Sequence, residues 1–197
     1  MNQTHTEGGR GDGLGSADRA TLVVIDIQSK TGEAMPAKVA NRVILNTILL
    51  ARAASELNVP TILTEQEPAM LGDTYSDIRA AVADGTRTFD KTAFSAARDE
   101  RFVSALGPAS GARDQVILVG MEAHIAVLQT AFDLAEAGYE VFVTEDGVCS
   151  RRLENYQNAL DRLRQSGIQV ASAESLVFEW LRDQVHPAFK TVQTWLR

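Results

Sequence analysis

The stretch between residues 114 and 150 limits what this chain can fold into more than any other part of it. Residues 116–119 form a short, mostly β-branched apolar run that ends at Gly120. Apolar side chains then recur at steps of three and four until Gly138, at Ile125, Leu128, Phe132 and Ala135. Another β-branched run begins at Val141. This order of strand, turn, helix and strand is typical of a βαβ unit in a parallel sheet.

The turn between Gly120 and Ala126 is the predicted position of the chemistry. It follows the carboxyl end of a strand and leads into the N-terminus of a helix. Parallel α/β folds bind ligands at that edge of the sheet. The free N–H groups of the helix N-terminus favour negatively charged groups there.

The rest of the chain also alternates between strand and helix patterns. Strands are predicted over 21–27, 61–64, 86–89 and 168–171, and a loop over 28–36. Residues 67–88 are predicted to be loop-like around a short helix at 75–82. Helices are predicted over 39–57, 97–106, 156–165, 173–182 and 187–196, the last with Pro187 at its first position. This pattern predicts a three-layer α/β/α fold with a mostly parallel sheet.

The composition of the chain limits the kinds of molecule that it is expected to bind. The 197 residues fit one domain, predicted over 19–197, after a flexible polar tail over 1–18 that contains Arg10-Gly11-Asp12. The net charge of −7 and the lack of a basic block make nucleic acid and anionic membranes poor partners. No apolar run approaches the roughly 18 residues of a membrane span. Cys149 is the single cysteine, which fits a reducing cytosol and predicts a cytoplasmic protein.

Two charged residues could belong to a site or could have ordinary structural roles. Asp26 interrupts an apolar run at its carboxyl end, so it is either a site residue or a cap for the following loop. Lys91 lies between Phe89 and Phe94. Because lysine is rarely buried unless it is paired, a solvated loop lysine is the favoured interpretation and partial burial the alternative.

Three separated motifs together resemble the isochorismatase-like hydrolases, a superfamily of cysteine amidases and related enzymes. The motifs occupy residues 22–28, 91–95 and 119–131, and the resemblance extends over about residues 20–197. The turn at 64–66, the pair at 71–72 and the segment 185–190 are similar to the isochorismatase-domain-containing subgroup.

The resemblance implies a site built from an aspartate, a lysine and a cysteine. Asp26 would act as general base and acid, and Lys91 would support the charges. The Met121–Glu122 bond would be a non-proline cis peptide, and the N–H groups of Glu122 and residue 126 would form an oxyanion hole. A thiol beside a lysine at a helix N-terminus is a strong nucleophile.

The sequence departs from this pattern at the nucleophile, because position 126 is alanine. Cys149 follows the next strand and is expected to be a small structural hydrophobe. Three explanations stay open. Ala126 could be an introduced replacement of cysteine. It could belong to a natural enzyme in which Asp26 protonates a vinyl ether, as the isochorismatases do. The protein could instead be a binding or scaffold subunit without catalysis.

The remaining expectations concern the substrate, metals and self-association. Gln28, Glu65, Phe94 and His124 are expected to contact a small-molecule substrate, although His124 could equally be a hydrogen-bonded capping residue. No histidines stand at metal-ligand spacing, so no metal and no cofactor are expected. By resemblance, the protein forms dimers or tetramers. Four aromatic residues near the C-terminus could cover an interface or seal the core: Phe178, Trp180, Phe189 and Trp195.

Overall fold

The computed structural model describes residues 13–196, so the Arg10-Gly11-Asp12 tripeptide and most of the predicted tail lie outside the described residues. The strands in this range are β1 Ala20–Ile25, β2 Thr61–Gln66, β3 Arg87–Lys91, β4 Gln115–Met121, β5 Glu140–Cys149 and β6 Gln169–Ala171. The α-helices are α1 Ser29–Glu33, α2 Ala37–Glu56, α3 Pro68–Leu71, α4 Ser76–Arg79, α5 Glu100–Leu106, α6 Leu128–Glu136, α7 Leu153–Gln165, α8 Ala173–Leu181 and α9 Phe189–Gln193. A 3₁₀ turn at Ala96–Arg98 precedes α5, and a π-helical turn at Ala123–Val127 precedes α6.

The strands form one parallel sheet in the order β3-β2-β1-β4-β5-β6. The carboxyl ends of all its strands therefore meet at one edge. The pairing is irregular between β4 and β5, where Leu118 pairs with Val143 but Gly120 pairs with Val148. The resulting bulge lengthens β5 and re-aims the residues that follow it.

Side chains of β1 alternate between two apolar cores. Leu22 and Val24 pack into one core with residues of α2 and α8. Val23 and Ile25 pack into the other core with residues of α5, α6 and α7. Burying each such side chain contributes about 1.5–3 kcal/mol, which holds helices on both faces of the sheet. The predicted three-layer α/β fold is thus confirmed.

Two local predictions were wrong. Residues 28–36 were expected to be a loop but contain α1, in which Gly32 packs against the hydroxyl end of the Tyr75 ring. That packing depends on a residue far along the chain, so the local pattern does not indicate it. The last helix, predicted over 187–196, extends only from Phe189 to Gln193, and Ala188 lies in a preceding turn where its N–H is donated to His186 Nδ1 at 3.1 Å.

The C-terminal aromatic residues mostly seal the domain's own core. Trp180 is 3% exposed and belongs to the same core as α2. Phe189 and Trp195 pack against that core, whereas Phe178 is 42% exposed and its ring centroid lies 6.4 Å from that of Phe189. Self-association through this surface stays a prediction.

The described end of the tail contacts the domain. The N–H of Gly15 is donated to Glu179 Oε2 at 2.6 Å, and the N–H of Ser16 to Gln115 Oε1 at 2.7 Å. The domain boundary at residue 19 remains a prediction. Among residues 13–196, none of the helices combines the length and the apolar character needed to cross a bilayer.

Candidate active site

Asp26 lies at the carboxyl edge of the sheet, directly after β1. It is 3% exposed and its φ is 52°, a left-handed conformation that is uncommon for a residue other than glycine. Thr64 Oγ1 donates to Asp26 Oδ1 at 2.7 Å, and Lys91 Nζ donates to Asp26 Oδ2 at 2.7 Å. Strain of this kind is common at functional sites, and the contacts to Thr64 and Lys91 fix the carboxylate in one orientation.

Burial of the Asp26 carboxyl raises its pKa above the usual range, and the attraction of the Lys91 ammonium only partly opposes that effect. A carboxyl whose pKa lies closer to neutrality can both accept and return a proton. The environment of Asp26 therefore suits a general base and acid better than a simple loop cap.

Lys91 is the last residue of β3 and is 6% exposed. The interpretation of Lys91 as a solvated loop residue was therefore wrong, because Asp26 supplies a partner that local sequence does not reveal. Besides Asp26, its Nζ contacts Gln66 Oε1 at 2.9 Å and the carbonyl oxygens of Ala93 at 3.2 Å and Phe94 at 3.1 Å. An ammonium has three protons, so these four acceptors leave none for another ligand.

The turn after β4 brings position 126 to the same edge of the sheet. Gly120 pairs with Ile25, and a Cβ at Gly120 would collide with the Ile25 carbonyl oxygen, so only glycine fits. The Met121–Glu122 peptide is cis, as the resemblance implies. The π-helical turn follows, with Ala126 4% exposed at its fourth residue. The methyl group of Ala126 offers no nucleophile.

Part of this turn has identified hydrogen-bond partners. The Glu122 carbonyl accepts from Ile125 N at 3.0 Å and Val127 N at 3.4 Å. The Glu122 carboxylate accepts from Arg151 N at 2.8 Å and from the Arg151 side chain. The oxyanion hole expected from the N–H groups of Glu122 and Ala126 stays a prediction.

His124 is held by hydrogen bonds on both ring nitrogens. Its Nδ1 lies 2.9 Å from Ser150 Oγ, and its Nε2 lies 3.2 Å from Asn155 Nδ2. This arrangement matches the hydrogen-bonded alternative, and substrate contact by His124 is still only predicted.

Gln28 and Glu65, two of the other predicted substrate contacts, brace the loop after β2. Gln28 is fully buried and bonds to the backbone N–H and carbonyl of Gln66. Glu65 accepts from Thr74 N at 2.6 Å and from Arg79 at 2.5 Å. Their roles toward substrate are not tested by these contacts.

The third, Phe94, is 55% exposed beside the loop that holds Lys91. A cavity of about 750 Å³ is lined in part by Lys91, Thr92, Met70 and Arg101. That volume suits a small ligand.

Sequence reasoning missed Thr64 and Gln66, which hold Asp26 and Lys91. Thr64 pairs with Ile25, and Gln66 pairs with Lys91, across neighbouring parallel strands. Thr64 ends the strand predicted over 61–64 and Gln66 follows it by two residues, and this position was the signal that could have identified them, since parallel strands end at one edge.

Cys149 ends β5 opposite Met121 and is fully buried. Burial raises the pKa of its thiol to about 12, so it is protonated at neutral pH. No group of three or more histidine, cysteine, aspartate or glutamate side chains suitable for a metal ion occurs between residues 13 and 196.

Comparison with known proteins identifies the family. Residues 20–175 match the model of the isochorismatase domain. The chain is 33% identical over 177 residues to isochorismatase family protein 1B of Dictyostelium discoideum, covering 89% of this chain and 84% of the relative. A solved structure of MAR1 ribonuclease from Caenorhabditis elegans is 34% identical, with a TM-score of 0.86 over 93% of this chain and 92% of that one. The YcaC gene product of Escherichia coli, described as an octameric hydrolase of unknown specificity, shares the fold at 21% identity, with a TM-score of 0.79 over 94% of this chain and 97% of that one. The chain therefore belongs to the isochorismatase family.

Proposed function

We propose that this protein is a hydrolase of a small amide or related carbonyl compound, with Asp26, Lys91 and position 126 as its site. The observation that supports this most strongly is the buried ion pair between Lys91 and Asp26, joined at 2.7 Å at the end of the sheet. A buried charge pair is costly to desolvate, and Thr64 and Gln66 are arranged to hold it. Ala126, in the turn after β4, lies at the same edge of the sheet.

With a thiol at position 126, the chemistry proceeds in two steps. Asp26 takes the thiol proton while sulfur attacks the carbonyl carbon, and the carboxyl then gives that proton to the departing amine. Water deprotonated by Asp26 next cleaves the thioester, which releases the acid and restores the thiol. Lys91, whose protons are all committed, keeps Asp26 in place and stabilises its charge.

The chain as given lacks that thiol, so it retains only the acid and base of the site. We interpret Ala126 as the disabling change in an otherwise complete cysteine hydrolase site. Cys149 does not replace the thiol, because it is buried and protonated.

A second candidate is thiol-free cleavage of a vinyl ether by Asp26. The raised pKa of the buried carboxyl favours it, because more of the acid form is available to protonate carbon. A third outcome is a binding protein without turnover. The C. elegans relative is described as a ribonuclease, which adds RNA cleavage to the activities to be assayed.

The test compares the chain as given with Ala126→Cys on a panel of small primary amides, isochorismate and a short RNA. We expect amide hydrolysis only in Ala126→Cys, and Asp26→Asn in that background should lower it by about 10²–10⁴-fold. Isochorismate cleavage by the chain as given, lost in Asp26→Asn, would favour the second candidate. If neither protein turns over any of these substrates, the binding-protein candidate would be favoured.

Self-association and a cytoplasmic location are further proposals. The octameric state described for the E. coli YcaC product supports self-association in this fold. Sedimentation velocity of the purified chain would determine its oligomeric state.

A further inference from the structure

A serine, a histidine and an asparagine form a hydrogen-bonded chain beside the turn that carries position 126. Ser150 Oγ lies 2.9 Å from His124 Nδ1, and His124 Nε2 lies 3.2 Å from Asn155 Nδ2. A hydroxyl within hydrogen-bond reach of a base, which a third group orients in turn, is the arrangement of an activated nucleophile. Proteases with a Cys-His-Asn triad use the same three roles with a thiol.

The fold places these three side chains at the edge of the sheet where ligands bind. Ser150 directly follows β5, His124 lies in the π-helical turn after β4, and Asn155 lies in the first turn of α7. Strands β4 and β5 are neighbours, and Met121 pairs with Cys149 at their carboxyl ends. Ser150 therefore lies in a strand-to-helix connection at this edge, as the nucleophilic serine of α/β-hydrolases does.

A cavity of about 390 Å³ adjoins the hydrogen-bonded chain. Its lining residues are Arg151, Arg152 and Asn155. Asn155 contacts His124, and Arg151 is the residue after Ser150, so the cavity borders both the base and the hydroxyl. Ser150 is 5% exposed and His124 is half-buried. The hydroxyl is thus largely shielded from bulk water, which favours reaction with a bound substrate.

The charges of this cavity indicate what it binds. The Arg151 side chain pairs with Glu122 at 3.0 Å. The exposed Arg152 guanidinium has no hydrogen-bond or ion-pair partner among residues 13–196. A free guanidinium binds a carboxylate through two parallel hydrogen bonds. The cavity therefore suits a small molecule that carries a carboxylate.

We propose that Ser150, His124 and Asn155 form a second catalytic site, which hydrolyses small esters that carry a carboxylate. Ser150 is the nucleophile, His124 is the general base, and Asn155 is the residue that positions the histidine ring. Arg152 binds the carboxylate of the substrate. This activity is separate from the amide hydrolysis proposed for Asp26 and position 126, and it needs no thiol.

The reaction proceeds in two steps. His124 Nδ1 takes the hydroxyl proton while Ser150 Oγ bonds to the ester carbonyl carbon, the ester C–O bond breaks, and the departing alkoxide takes that proton. Water then adds to the acyl-serine and gives a proton to Nδ1, which returns it to Ser150 Oγ as the acid leaves. Throughout, Nε2 keeps its proton and donates it to the Asn155 carbonyl oxygen, which a half-turn of the side-chain amide brings to the place of Nδ2.

The chain as given tests this site directly, because it has no thiol at position 126. A fluorophosphonate should label Ser150, with an Oγ–P bond formed and fluoride and the hydroxyl proton released, and peptide mapping locates the label. The chain should also hydrolyse 4-acetoxybenzoate about tenfold faster than the uncharged 4-acetoxybenzamide, and Arg152→Gln should abolish that preference.

Variants of the serine and the histidine separate catalysis from a structural role. Ser150→Ala should lose both the label and ester hydrolysis, and His124→Gln should slow labelling by about 10²–10⁴-fold. Ser95→Ala is the matched control, because Ser95 is 2% exposed and its Oγ has no partner among the described residues, so it should change neither rate.

The mapped label decides the assignment even if a variant fails to fold. An unlabelled Ser150 in the chain as given would overturn it. Labelling of His124→Gln at the parent rate would overturn it too, because the hydroxyl would then react without the base. Ester hydrolysis that survives Ser150→Ala would have the same consequence. Amide hydrolysis by Ala126→Cys is measured separately, so either proposal can fail while the other stands.

Discussion

Replacing Lys91 with methionine should destabilise the protein in a way that depends on pH. The Lys91 and Asp26 side chains are 2% and 5% exposed, so the substitution leaves a buried carboxylate supported by Thr64 alone. Removing one partner of a buried pair costs about 3–5 kcal/mol. For a chain of this size, that corresponds to a melting temperature lower by about 6–20 °C.

The direction of the pH effect follows from the raised pKa of Asp26. A carboxyl whose folded pKa lies above its unfolded value of about 3.9 contributes stability below that value, and the contribution is lost as pH rises through the folded pKa. Without the Lys91 ammonium, the folded pKa rises further and the loss grows. The destabilisation by Lys91→Met should therefore be larger at pH 8 than at pH 5.

Thermal unfolding of the parent and variant at both pH values measures this difference. Asp26→Asn/Lys91→Met is the matched control, since it removes both charges and with them the pH dependence that the Asp26 carboxyl contributes. Arg98→Met removes a 71% exposed arginine that pairs with Asp133 at 3.3 Å, and should cost under about 1 kcal/mol. The reasoning would be refuted if Lys91→Met lowered the free energy of unfolding only as much as Arg98→Met does. It would also be refuted if the effect of Lys91→Met were the same at pH 5 and pH 8.

Two further predictions concern the turn after β4 and the single thiol. Gly120→Ala should yield less folded protein on expression, because the new Cβ would collide with the Ile25 carbonyl oxygen. Gly85→Ala has open space around its Cβ, so it should lower the free energy of unfolding by only about 1 kcal/mol, owing to the positive φ of Gly85. Circular dichroism and soluble yield compare the two variants, and equal yields would contradict the clash. Cys149 should resist a maleimide at pH 7 in the folded chain and react fully in guanidinium, since burial raises its pKa to about 12. Rapid labelling of the folded chain as given would show that this thiol is accessible.

The strand and helix patterns predicted the layered fold because the spacing of apolar residues is a local property of each element and repeats several times within it. Asp26 and the turn after β4 lie at the predicted edge of the sheet, so the position of Asp26 and of residue 126 in the fold could be predicted from local signals and the family resemblance. The burial of Lys91 could not be predicted from its surroundings, because its partner lies 65 residues away in the chain. Nor does the sequence indicate that Gln28 and Glu65 brace a loop, since those contacts form only when the chain folds.

The most direct test of the central claim is the acrylamide labelling rate of the Ala126→Cys chain, followed by intact mass and peptide mapping. The chain as given is the control for Cys149, and Asp26→Asn in the Ala126→Cys background is the control for the base. The account predicts one adduct, mapped to position 126, that forms at least about tenfold more slowly when Asp26 is replaced. An adduct that forms at the same rate without the Asp26 carboxylate, or no adduct at position 126, would contradict a shared site of Asp26, Lys91 and position 126.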